Sequence, residues 1–208
     1  MPFMMSLPNQ LTLLRILLTP VFVLFFFIDD PVMKTVSFFV FTVASLTDWY
    51  DGYFARKTGN VSQWGKFLDP LADKILISSA FIGFSVIGMA PAWMVLVIVV
   101  RDFLITILRS YAIMKGCPIV THIIAKAKTV GQFVVLFLLF FLHLIRIWNM
   151  KGLEPILAWA DRTRLVTSVM LVVTGLTVFT GLLYLVQNRS HLRHMGSDVI
   201  RWITSIRS

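Results

Sequence analysis

Residues 48–73 read DWYDGYFARKTGNVSQWGKFLDPLAD, and the way this stretch is understood decides the fold. Only ten of the 208 residues are acidic, and Asp48, Asp51, Asp69 and Asp73 all fall within it. Asp48 and Asp51 are three apart, Asp69 and Asp73 four apart, and on a helix either spacing places the pair on one face. Long apolar runs lie on both sides, so the carboxylates sit near the ends of two membrane-length segments joined by the polar turn Lys57-Thr58-Gly59-Asn60. An antiparallel reversal there would bring the pairs to similar depth. A carboxylate inside a membrane costs about 2.5–3.5 kcal/mol on insertion scales, and neighbouring carboxylates repel unless cations lie between them. Hard oxygen donors suit Mg2+, Mn2+ or Ca2+ rather than zinc. Two such ions about 3.5–4 Å apart make a site for displacement at phosphorus.

Outward from this stretch the chain is strongly apolar, with 58% hydrophobic and 14% charged residues. Soluble domains run at about half apolar and about a quarter charged, so a water-soluble single domain is excluded. The expected class is all-α, a polytopic membrane protein of six transmembrane helices, since one span needs about 20 apolar residues. The apolar runs predict helices over about 7–28, 32–57, 66–88, 91–114, 121–148 and 163–187 within a single domain covering 1–208. Asp29-Asp30-Pro31 separates the first two, because a residue before proline leaves the helical region. Gly88 to Pro91 and Lys115-Gly116-Cys117-Pro118 mark later breaks. Asn149 to Arg164 is the longest interruption, and its charges predict a short interfacial segment. Cys117 is alone and forms no internal disulfide.

The net charge of +9 is scattered between apolar runs rather than gathered in an arm or stripe, which argues against a nucleic-acid partner. In a membrane protein it encodes orientation and attraction to anionic lipid headgroups. With six spans and the N-terminus inside, the inner loops and tail carry eleven Lys and Arg and the outer loops five. This predicts both termini in the cytoplasm.

The segment from Asp48 resembles the CDP-alcohol phosphotransferase family, whose signature is D-x2-D-G-x2-A-R-x8-G-x3-D-x3-D. Asp48, Asp51, Gly52, Ala55, Arg56, Gly65, Asp69 and Asp73 fill every fixed place with the right gaps. The small Gly52 and Ala55 let a flat ligand such as cytosine approach a helix backbone, and Arg56 can make paired hydrogen bonds to a diphosphate. Gly65, one turn before Asp69, keeps the mouth of the site free of side-chain bulk. The resemblance implies a CDP-linked lipid whose diphosphate is held on two divalent ions, Mg2+ or Mn2+, and a transfer that releases CMP. It implies Asp48, Asp51 and Asp69 as metal ligands, and Asp73 as both a ligand and the general base on the acceptor hydroxyl. It also implies Asn9, Thr12 and Ser62 in the nucleotide pocket, and a homodimer.

The acceptor is read from the remaining cations. Arg101 and Arg109 lie on one face of the fourth predicted helix, and Lys126 and Lys128 near the start of the fifth. Four cations near a metal site suit an acceptor that carries its own phosphate. LPNQLTLLRILLTP (7–20), FLDPLADK (67–74), the Arg101-Asp102 and Leu108-Arg109 pairs and AKAKT (125–129) resemble the bacterial branch of the family that uses sn-glycerol 3-phosphate and CDP-diacylglycerol. Asp102 departs from that branch, which has Glu after the Arg. The resemblance implies a multi-pass protein of the bacterial inner (cytoplasmic) membrane with its site facing the cytoplasm.

Two alternatives stay open from the residues: another acceptor such as inositol phosphate, and, in a different class, a divalent-cation carrier. His122 and His143 are 21 residues apart without acids at ligand spacing, and read as ordinary residues rather than a metal site.

Overall fold

The turn at Asp29-Asp30-Pro31 shows how the chain builds its helices. Asp30 caps the second helix, its Oδ1 accepting from the Met33 backbone N–H at 2.9 Å, while Pro31 takes the first helical position. The computed structural model describes residues 7–58, 63–114 and 123–189, with side chains described for 10–47, 70–110, 112 and 128–189. The helices are α1 (Leu7–Phe27), α2 (Pro31–Thr58), α3 (Gln63–Val86), α4 (Ala92–Met114), α5 (Ile123–Ile147), α6 (Glu154–Arg162) and α7 (Leu165–Gln187). A short 3-10 turn, Lys151–Leu153, precedes α6, and no strand occurs among the described residues.

The six long helices match the runs expected from the sequence to within three residues at each end. The start of α3 moves forward to Gln63 because a polar first turn is helical without being apolar. The start of α7 moves back to Leu165 because Arg164 adopts a left-handed conformation with φ 49°, which divides it from α6. The expected interfacial segment is the 3-10 turn together with α6. It is fixed by an Arg146–Asp161 ion pair at 2.5 Å, and Trp148 Nε1 beside it donates to Thr35 Oγ1 at 2.9 Å.

α1 (over Gln10–Phe27), α5 (over Lys128–Ile147) and α7 are long and apolar enough to cross a membrane, and α2 has a shorter apolar part, Pro31–Thr47. α3 and α4 carry the charged residues Asp73, Lys74, Arg101 and Asp102 within their length. Leu24 on α1, Leu96 on α4 and Val172 on α7 are all more than 60% exposed, so apolar surface faces outward as in a lipid-embedded bundle. The protein is an all-α membrane protein.

The core is aromatic and lies towards one end. Phe22 and Phe26 of α1, Phe41 of α2, Phe84 of α3 and Phe140 of α5 are buried, with Phe84 and Phe140 edge to face at 4.8 Å. Gly83 lets the Phe26 ring lie against α3, since a Cβ there would be 3.0 Å from it. Asp73 lies eleven residues before Phe84 on α3, about 16 Å along the helix axis at about 1.5 Å per residue. The polar half of the bundle is thus separate from the aromatic half.

Candidate active site

α2 and α3 pack against each other, and both are helical through the segment that carries the acids. Asp48, Asp51, Gly52, Ala55 and Arg56 lie on the last turns of α2, and Gly65, Asp69 and Asp73 on the first turns of α3. The helical register expected from the spacing is therefore present in both elements. Among these eight residues only Asp73 has its side chain among those described. Asn9 lies on α1 and Lys126 on α5, likewise with side chains outside the described set. Ser62 lies outside the described residues. Thr12 is buried on α1.

Asp73 is half-enclosed in the bundle, and its Oδ2 is 3.0 Å from Nζ of Lys74. The same ammonium is 3.9 Å from Oδ2 of Asp102 on α4. Around Asp102 a polar network joins four helices. Its Oδ1 accepts from Lys128 of α5 and from Arg101 Nη1 at 3.4 Å, and its Oδ2 accepts from Gln132 Nε2 at 3.0 Å. Arg101 turns its Nη2 to Thr180 Oγ1 of α7 at 2.9 Å. Gly181 makes room for this reach, because a Cβ there would lie 3.0 Å from Arg101 Nε and 3.2 Å from its Cγ. Asp102, Lys128 and Gln132 are all buried. A buried carboxylate surrounded by donors in this way is a satisfied anion, and it offsets the desolvation of the cations around it.

The structure thus brings Arg101 and Lys128 together through Asp102, beside Asp73. Arg109, two turns along α4, is exposed and stands outside this cluster among the described residues. Lys74, Gln132 and Thr180 were not singled out by the sequence reading. Lys74 had a signal, a cation inside an apolar run directly after Asp73. Gln132 had one too, four residues and one turn after Lys128. Thr180 is one of several hydroxyls on α7, and its place opposite Arg101 comes from tertiary packing alone.

The donor set of the acidic segment is made only of carboxylates, on adjacent turns of two packed helices. That chemistry fits a hard divalent ion such as Mg2+ or Mn2+.

A model of the CDP-alcohol phosphatidyltransferase family matches residues 5–179, which spans the whole acidic segment and, of the network around Asp102, every member but Thr180. The chain belongs to this family. It is therefore an enzyme, a CDP-alcohol phosphatidyltransferase. Among its relatives is the CDP-diacylglycerol–glycerol-3-phosphate 3-phosphatidyltransferase of Bacillus subtilis (strain 168). The two are 41% identical over 143 residues, covering 63% of this chain and 74% of the relative. A protein of the same name from Rickettsia bellii (strain RML369-C) is 37% identical over 134 residues, covering 64% of this chain and 74% of that one.

Proposed function

We infer that this phosphatidyltransferase moves the phosphatidyl group of CDP-diacylglycerol to sn-glycerol 3-phosphate, giving phosphatidylglycerol phosphate and CMP. The observation that carries the choice of acceptor is the gathering of Lys74, Arg101 and Lys128 beside Asp73. These three cations outnumber the two carboxylates they face, which favours an anionic acceptor over a neutral alcohol. The names of the Bacillus and Rickettsia relatives support the same acceptor.

In this reading Asp48, Asp51, Asp69 and Asp73 would hold two Mg2+ or Mn2+ ions, which supply charge neutralisation and polarisation at the diphosphate when bound. Arg56 takes a diphosphate oxygen pair, and Gly52, Ala55 and Gly65 leave space for the nucleotide, with Asn9, Thr12 and Ser62 along its pocket. Lys74, Arg101 and Lys128, with Lys126 earlier on α5, supply the positive charge that holds the acceptor phosphate and so orients its hydroxyl. Asp73 takes the hydroxyl proton as the acceptor oxygen bonds to the phosphatidyl phosphorus. The phosphorus–oxygen bond to CMP breaks, and CMP leaves with that oxygen. The protein works in the bacterial inner membrane, facing the cytoplasm, as a homodimer surrounded by membrane lipid.

The test is release of CMP from CDP-diacylglycerol by the purified protein, with and without sn-glycerol 3-phosphate. Release that needs this acceptor supports the reading. Release that needs inositol phosphate instead would replace the acceptor, and no release with any alcohol would remove the activity.

A further inference from the structure

One stripe of α1 is buried along the helix, Thr12, Arg15, Thr19, Phe22 and Phe26, at alternating spacings of three and four residues. The stripe is aromatic where it joins the Phe core and polar at its other end, where Arg15 is its charged member. Arg15 is 0% exposed, and its Nε donates to the main-chain oxygen of Ala44 on α2 at 3.4 Å. Thr47 Oγ1 donates to the same oxygen at 2.7 Å. In an α-helix the carbonyl of one residue faces the N–H four residues later, so Ala44 O marks the turn of α2 that ends at Asp48. A guanidinium buried this completely needs anionic neighbours as well as a carbonyl, since a neutral acceptor does not offset the desolvation of a full charge. α1 packs mainly against α2 and α3. The acids within those two helices are Asp48 and Asp51 on α2 and Asp69 and Asp73 on α3, and α1 itself carries none. Asp73 has Lys74 beside it. Asp48 stands one turn beyond the carbonyl that Arg15 holds.

We propose that Arg15 is the built-in counter-charge of the acids on α2, Asp48 first, and holds their turn in place while no ion is bound. Carboxylates on adjacent turns of two packed helices repel one another, and a fixed cation at the turn of the first offsets part of that repulsion. A guanidinium keeps its charge at every pH a protein meets, so it serves this purpose without a proton to lose. Divalent ions take over the work when they bind. That last step rests on the two-metal reading above, whereas the pairing of Arg15 with Asp48 does not. In a purely packing role Arg15 only joins α1 to the Ala44 carbonyl, and neither the charge of Asp48 nor the presence of ions matters.

The experiment measures thermal unfolding of the full chain in detergent, once in EDTA and once in saturating Mn2+. In EDTA, Arg15→Met is expected to unfold roughly 10 °C below the unmodified protein, the scale of a broken buried ion pair. In Mn2+ most of that loss disappears, because the bound ions neutralise the acids that Arg15 otherwise balances. Adding Asp48→Asn to Arg15→Met raises the unfolding temperature in EDTA above that of Arg15→Met alone. Should Arg15→Met fail to fold, the double variant decides: folded Asp48→Asn/Arg15→Met protein supports the proposal, and failure of both overturns it. A double variant no more stable than Arg15→Met overturns it as well. So does a loss of equal size in EDTA and in Mn2+ when Mn2+ stabilises the unmodified protein. If Mn2+ leaves the unmodified protein unchanged, the two-metal reading fails, and the comparison of single and double variants in EDTA decides the pairing by itself.

Discussion

Lys128 of α5 and Asp102 of α4 form an ion pair inside the bundle, with side chains 3% and 2% exposed. Breaking such a pair from one side leaves an uncompensated buried charge, at a cost of about 3–5 kcal/mol. Asp102→Leu should therefore lower the thermal unfolding temperature in detergent sharply. The double variant Asp102→Leu/Lys128→Met should unfold at a higher temperature than Asp102→Leu alone. Additive losses would mean that the two side chains contribute to stability independently.

A second expectation concerns the acids of the signature. Asp51→Asn on α2, or Asp69→Asn on α3, should abolish CMP release while folded protein is kept, because the change relieves repulsion in the metal-free cluster. Turnover near that of the unmodified protein in Mg2+ or Mn2+, with either variant, would contradict the two-metal reading.

Asp73 separates binding from chemistry. Asp73→Asn should still bind CDP-diacylglycerol, since Arg56 and the other carboxylates remain, but should lose transfer. Equilibrium binding of the lipid nucleotide and a transfer assay on the same preparation measure the two properties. Substantial transfer would show that the acceptor hydroxyl needs no base at this position.

The apolar runs made the long helices legible, and the acidic spacing made the register of α2 and α3 legible, because both are periodic along one chain. The division between α6 and α7 was legible to within two residues, and its exact place depends on the left-handed backbone at Arg164, a residue type without preference for that conformation. Arg101 and Arg109 could be placed on one face of their helix, but that the Arg101 guanidinium reaches Thr180 across the α4–α7 contact could not. Asp102 could be seen as a charge in an apolar run, but the convergence of Lys74, Lys128 and Gln132 on it depends on how α3 and α5 pack around α4. No spacing along one helix encodes that.

Gly181 offers a test of the position of Arg101 that leaves its charge intact. Gly181→Val places atoms where Arg101 Nε and Cγ now lie, so it should displace the guanidinium from Thr180. If Arg101 helps to hold the acceptor phosphate, Gly181→Val and Arg101→Ala should both raise KM for sn-glycerol 3-phosphate. Loss of a charge-assisted hydrogen bond, worth about 1.5–3 kcal/mol, corresponds to roughly ten- to hundredfold in affinity. The KM for CDP-diacylglycerol should change less. Unchanged acceptor KM in both variants, with lowered stability, would make Arg101 a helix-packing residue.

The central claim is tested most directly by an acceptor panel. Purified protein is given CDP-diacylglycerol, Mg2+ or Mn2+, and in turn sn-glycerol 3-phosphate, glycerol, inositol and inositol phosphate, and the CMP released is measured. The account predicts release with sn-glycerol 3-phosphate far above that with every other alcohol, and none without an acceptor. Equal release with unphosphorylated glycerol would contradict it, because the cations gathered beside Asp73, Lys74, Arg101 and Lys128, would then have no part in choosing the substrate.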